Sequence, residues 1–124
     1  MAAQYRLDVQ SGIIFTTMVG TLTFDDIVEY ARNLRNEPDF DPSFSELVDF
    51  TDLKSANLTY ADLTEITLRV DPFSKTSKRA LIAEIGTASY GITRMYQAVS
   101  SNSGRDMQLF TTALEAQRWL GMAA

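Results

Sequence analysis

Phe44-Ser-Glu-Leu-Val-Asp-Phe-Thr-Asp-Leu53 decides how the rest of the chain is read. Leu47, Val48 and Phe50 crowd apolar bulk around the carboxylate of Asp49, which suits a strand covered on at least one face. A short apolar run can also be helix, so the flanks arbitrate. Pro42 precedes the run, and Thr51-Asp52 offers turn chemistry after it. The pattern predicts a central strand that stops in a polar turn, with a helix beyond. In open α/β sheets ligands sit in the crevice beyond the carboxyl ends of strands. Thr51, Asp52 and a loop from Lys54 to Leu58 therefore form the candidate working face. Capping and turn formation is the commoner use of residues such as Asp49 and Asp52.

Upstream, Tyr5, Leu7 and Val9 alternate with Arg6 and Asp8, the signature of a half-buried strand. Gln10-Ser11-Gly12 is a turn, and Ile13 to Leu22 is a second strand with Ile13, Phe15, Thr17 and Val19 on one face. So short a turn predicts an antiparallel hairpin. Thr23 caps the first helix with Asp26 three positions on, and Leu22 and Ile27 flank the cap as a hydrophobic staple. Ile27, Tyr30, Ala31 and Leu34 give it one apolar stripe. Glu37-Pro38 ends it.

Downstream the device repeats: Thr59 with Asp62, and Leu58 with Leu63. Leu63, Ile66 and Val70 continue the stripe, and Asp71-Pro72 closes it. Lys75, Lys78 and Arg79 cluster in the next connection, which reads as a solvated loop and strand start. Ala80 to Ile85 is a buried strand, and Gly86 to Gly91 a small-residue turn. The following helix has a stripe of Ile92, Met95, Tyr96 and Val99. Met107 to Phe110 is the last strand, and Thr112 with Glu115 forms a capping box for a last helix that ends at Gly121. The predicted order is β-β-α-β-α-β-α-β-α: an α/β fold with a mainly parallel five-stranded sheet and an antiparallel N-terminal edge strand.

Residues 1–124 are expected to form one domain, long enough to bury a core without staples. No run approaches the roughly 18 apolar residues of a membrane span, and the N-terminus lacks the apolar segment of a signal peptide. A cytoplasmic location is the expectation. The net charge of −5 argues against nucleic acid as a partner. The chain has no Cys and no His, which removes thiolate and imidazole chemistry and their metal sites. With only carboxylates, hydroxyls, Lys, Arg and Tyr left, and no cofactor or metal motif, the composition points away from an enzyme. Asp25-Asp26, Asp39-Asp41 and Asp49-Asp52 are the candidate acid–base pairs, and none has the placement of a dyad.

The opening Tyr5-Arg6-Leu7 hairpin, Leu47-Val48-Asp49-Phe50-Thr51-Asp52-Leu53, Arg94-Met95-Tyr96-Gln97 and the closing segment with Trp119-Leu120 together resemble the SpoIIAA-like family. That family has the STAS, or anti-sigma-factor-antagonist, fold shared with lipid-binding CRAL-TRIO domains. The resemblance spans essentially the full length and implies a STAS-like domain of uncharacterised role. Partner-switching antagonists of this fold carry a phosphorylatable Ser in an Asp-Ser-Ser-Gly stretch. The matching segment here is Asn57-Leu58-Thr59-Tyr60, where Asn replaces the Asp, Leu58 falls nearest the acceptor Ser and Tyr replaces the Gly. Thr59 is the nearest hydroxyl, and N-capping accounts for it.

Three functional readings follow. The first is a regulatory, protein-interaction domain without catalysis, presenting Thr51, Asp52, Asn57, Leu58, Thr59 and Tyr60 to a protein partner, with homodimer formation as an expectation. The alternative is a carrier for a small apolar ligand or lipid, lined from Met18, Tyr30, Phe40, Phe44, Phe73, Met95 and Tyr96. The third is an anion site at the turn before the third helix, made by Gly86, Thr87, Ser89 and Arg94.

Overall fold

The computed structural model describes residues 2–122. β1 (Ala3–Asp8) and β2 (Ile13–Met18) form the antiparallel hairpin, with Ala3 opposite Met18 and Asp8 opposite Ile13. β3 (Gly20–Thr23) leads into α1 (Phe24–Asn36), followed by β4 (Ser45–Asp49) and β5 (Leu53–Asn57). α2 (Tyr60–Glu65) continues as a π-helical turn over Ile66–Val70. β6 (Arg79–Ile82), α3 (Ala88–Asn102), β7 (Met107–Phe110) and α4 (Ala113–Trp119) complete the chain.

The main sheet has the order β1-β2-β4-β6-β7, so β4 is its middle strand. Every pairing except β1 with β2 is parallel. The strands from β2 onward march in one direction across the sheet. Right-handed crossovers then place all three connecting helices on the same face, and α4 packs on the other. On the α1–α3 side Ile14, Leu34, Val48, Leu81 and Met107 form the principal core. On the α4 side Ala80 and Ala116, both wholly buried, let the helix approach the sheet closely, with Leu47 and Ile82 beside them. Coverage on both faces explains why β4 and β6 are rich in large aliphatic residues.

The capping predictions at Thr23 and Thr59 are met: each forms a reciprocal capping box, with Asp26 and Asp62 respectively. Thr112 also caps α4, but Glu115 returns to the Thr112 hydroxyl instead of its backbone N–H.

Several boundaries differ from the sequence reading. The second strand breaks after Met18, where Gly20 takes a left-handed φ of +71°, open to glycine at little steric cost. The chain after it leaves the main sheet and pairs as β3 with β5 in a separate two-stranded parallel sheet. The segment read as a loop from Lys54 is therefore strand. Leu-Lys-Ser-Ala-Asn has weak intrinsic strand preference, and its pairing with β3 makes it one. β6 begins one residue earlier than expected and stops at Ile82, leaving Ile85 68% exposed. α3 starts at Ala88, so Gly91 lies inside the helix. Met95 faces solvent, and Ser89, Thr93 and Val99 join Ile92 and Tyr96 on the inner side.

Candidate functional site

A partly open cavity of about 50 Å³ lies between the sheet and the helices on its α1–α3 face. One water occupies roughly 10–15 Å³ on this scale, so the space corresponds to roughly three to five waters. Interiors pack at crystal-like density with few voids larger than a water, which makes this one noteworthy. α1 supplies Ile27, Tyr30 and Ala31; the α2 and π-helical segment supplies Leu63, Ile66 and Val70. Ile92, Thr93 and Tyr96 close it from α3, and Val48 from the sheet.

The polar end is a buried chain of hydrogen bonds and ion pairs. Arg79, the first residue of β6, is the register partner of Glu46 on β4, and both side chains are buried. Arg79 Nε donates to Glu46 Oε1 at 2.8 Å, and Nη1 donates to Asp71 Oδ2 at 2.7 Å. Tyr30 donates its phenol proton to Glu46 Oε2 at 2.6 Å, which leaves Thr16 as the donor to the Tyr30 oxygen. Arg105 pairs with Asp71 at 3.6 Å, and Arg79 Nη2 lies 3.5 Å from the Tyr96 hydroxyl. The guanidinium of Arg79 also stacks 4.2 Å over the Phe73 ring. Among the described residues, every buried side-chain N or O atom has a hydrogen-bond partner.

The electrostatics follow from this geometry. Burial pushes the Tyr30 phenol well above its ordinary range, and the adjacent Glu46 carboxylate pushes in the same direction. Burial likewise raises Tyr96. Burial works against the Arg79 charge, but Glu46 and the neighbouring groups outweigh it and hold the guanidinium protonated.

The π-helical turn borders the cavity. Such turns leave carbonyls without regular helical partners and often occur at functional sites. Arg105 donates through Nε and Nη2 to the Thr67 carbonyl, and Arg35 Nη2 donates to the Val70 carbonyl at 2.7 Å. Two guanidinium groups thus anchor the carboxyl end of the segment, the favourable end for positive charge.

Of the residues expected to line a ligand pocket, Met18, Tyr30, Phe73 and Tyr96 do so. Phe40 and Phe44 instead pack edge-on in the neighbouring core. Met95 is 42% exposed. The candidate partner face is split. Thr51, Asp52, Asn57, Thr59 and Tyr60 are exposed, with Tyr60 at 65%. Leu58 turns inward and lines the cavity. Asp49 Oδ1 accepts from the Thr51 backbone and hydroxyl, a local turn. At the expected anion turn, Gly86 and Thr87 are exposed, and the Thr87 hydroxyl donates to the Glu84 carbonyl. Ser89 is buried with its hydroxyl 3.1 Å from that of Thr87, while Arg94 points to solvent.

The sequence does not single out Glu46, Asp71 or Arg105, and its pattern places Arg79 at a solvated strand start. The correction has a physical cause: Arg79 is held inward by carboxylates from elements 33 and 8 residues away. Its position immediately before Ala80-Leu81-Ile82-Ala83 was the available signal. A charged residue in register with a fully buried run must either cap it or find a partner.

No protein-family model matches the chain, and no curated protein matches it. Among solved structures, the chain is similar to an uncharacterised protein of the DUF3478 family from Shewanella loihica PV-4, which has a SpoIIAA-like fold. The identity is 21%, the match covers 96% of this chain and 92% of that one, and the TM-score is 0.62. At that identity the likeness concerns the fold. The chain therefore has a SpoIIAA-like α/β fold. Among the described residues, no helix is long and apolar enough to cross a membrane, and no group of three or more acidic side chains is placed to hold a metal ion.

Proposed function

We propose that this chain is a non-catalytic binding domain that takes a small apolar molecule into the cavity between its sheet and α1–α3. The observation that carries the reading is the cavity itself: several waters in volume, walled by Leu63, Ile66, Val70 and Ile92, and offering water few partners over most of its surface. The lipid-binding relatives of the fold are consistent with it, although fold alone does not assign function. The domain is read as acting in the cytoplasm, without nucleic acid as a partner.

An NMR titration of the isotope-labelled protein with toluene and cyclohexane tests this. Saturable shifts at Leu63, Ile66 and Ile92 methyl groups are expected. Ala31→Leu, which extends a side chain into the cavity, should abolish them. Unchanged methyl resonances up to the solubility limit of both probes would sink the proposal.

A second reading, a protein-interaction surface, is supported by Tyr60. Its ring stands in solvent beside Thr59, with Asn57 at the end of β5 before it, and exposed aromatic residues are favoured anchors for partners. Self-association is its simplest form. Sedimentation of wild type and Tyr60→Ala should then show a concentration-dependent dimer only in the former.

A further inference from the structure

The character of the polar end narrows the ligand class, on the premise that the cavity is the binding site just proposed. Glu46 and Asp71 contribute two negative charges, and Arg79 and Arg105 contribute two positive ones, so the cluster is neutral. An incoming carboxylate would have to displace Glu46 or Asp71 from Arg79, or add a third negative charge in the same buried space. Either costs more than a solvent-exposed anion recovers. A cation meets the converse obstacle, because both carboxylates already hold guanidinium groups.

The acceptors at this end are already engaged. Glu46 Oε1 takes Arg79 and Oε2 takes Tyr30; Asp71 Oδ1 takes the Phe73 N–H, and Oδ2 takes Arg79. Donors remain. Nε, one Nη1 hydrogen and one Nη2 hydrogen of Arg79 have protein acceptors. Among the described residues, no acceptor is in place for the second hydrogen of Nη1, the second hydrogen of Nη2 or the phenol proton of Tyr96. Both side chains line the cavity. The raised pKa of Tyr96 keeps that proton in place at neutral pH.

We infer that the cavity selects an uncharged molecule with a compact apolar body and one acceptor oxygen, a ketone, aldehyde or ester carbonyl, which takes hydrogen bonds from Tyr96 and Arg79. The volume of about 50 Å³ leaves no room for an extended acyl chain.

Cyclohexanone, methylcyclohexane and cyclohexanecarboxylate share one ring and differ at the position that matters. Their affinities at pH 7, read by NMR titration, decide the matter. Cyclohexanone should bind about tenfold more tightly than methylcyclohexane, the yield of one well-placed hydrogen bond. Cyclohexanecarboxylate should be the weakest of the three. Tyr96→Phe should reduce the advantage of the ketone while leaving methylcyclohexane unchanged. If that variant does not fold, the wild-type ratio alone decides. A carboxylate that equals the ketone, or a ketone no better than the hydrocarbon, overturns the inferred ligand class and leaves the apolar cavity as a binding site. Silence from all three probes overturns both.

Discussion

Arg79 and Glu46 are register partners on neighbouring central strands, and their buried side chains meet at 2.8 Å on the α1–α3 face of the sheet. The pair sits at one end of a cavity that is otherwise apolar. It therefore joins two roles: closing the centre of the sheet electrostatically and setting the chemistry of the candidate site.

Breaking the pair from one side should cost far more than removing it from both. Arg79→Leu leaves Glu46 and Asp71 buried without their main counter-charge, a loss expected at about 3–5 kcal/mol. Arg79→Lys should recover little, because one ammonium cannot reproduce a planar fork aimed at two carboxylates. In urea denaturation the double change Glu46→Leu with Arg79→Leu should be less destabilising than the sum of the single changes. Additive losses would show that the two residues act independently.

Tyr30 connects α1 to β4 through Glu46 and to β2 through Thr16. Tyr30→Phe keeps the ring but strands one carboxylate oxygen and one hydroxyl, with an expected loss of about 1–3 kcal/mol. Thr16→Val should lose less, since Glu46 keeps both partners. Equal losses for the two variants would contradict this ranking.

Alkaline stability should reflect three tyrosines. Burial, followed by the Glu37 hydrogen bond and charge, pushes Tyr5 up to about 12, and burial also raises Tyr30 and Tyr96. In the unfolded chain these phenols ionise near pH 10. Below that value both states hold their protons and the contribution to stability is complete. Above it the unfolded state releases protons first, so stability falls as pH rises toward the folded-state values. For Tyr5 the loss is complete near pH 12. Ultraviolet titration of phenolate should show delayed ionisation that becomes ordinary on denaturation, and Tyr5→Phe should remove one delayed group.

Thr59 accepts from the Asp62 N–H at 3.1 Å, and Asp62 returns a bond to the Thr59 N–H at 2.9 Å. Thr59→Ala should cost about 1 kcal/mol, and Thr59→Ser much less. Chemical denaturation of the two variants provides the comparison. Equal losses would assign the effect to the threonine methyl group and not to the cap.

The helix starts and strand directions were legible in the sequence because they depend on neighbours a few positions apart. Thr23 with Asp26 and Thr59 with Asp62 announced their helices, and the short turn at Gly12 announced the hairpin. The alternation of strands and helices implied parallel pairing, and the five-stranded sheet has it. Local patterning also limited the available chemistry through the absence of Cys and His.

Only the tertiary structure decided which strands pair outside the main sheet and which charges are buried. Lys54 and Ser55 belong to a strand because β3 lies alongside them. Arg79 is interior because Glu46 and Asp71 converge on it from distant positions. The same holds for the cavity: Ala31 and Val70 read only as stripe residues in sequence, and the space they share with Phe73 and Tyr96 exists only after α1, the π-helical turn and α3 dock on one face. Short-range hydrogen bonding and periodicity determine an element, whereas the volume and charge enclosed between elements depend on how their faces meet.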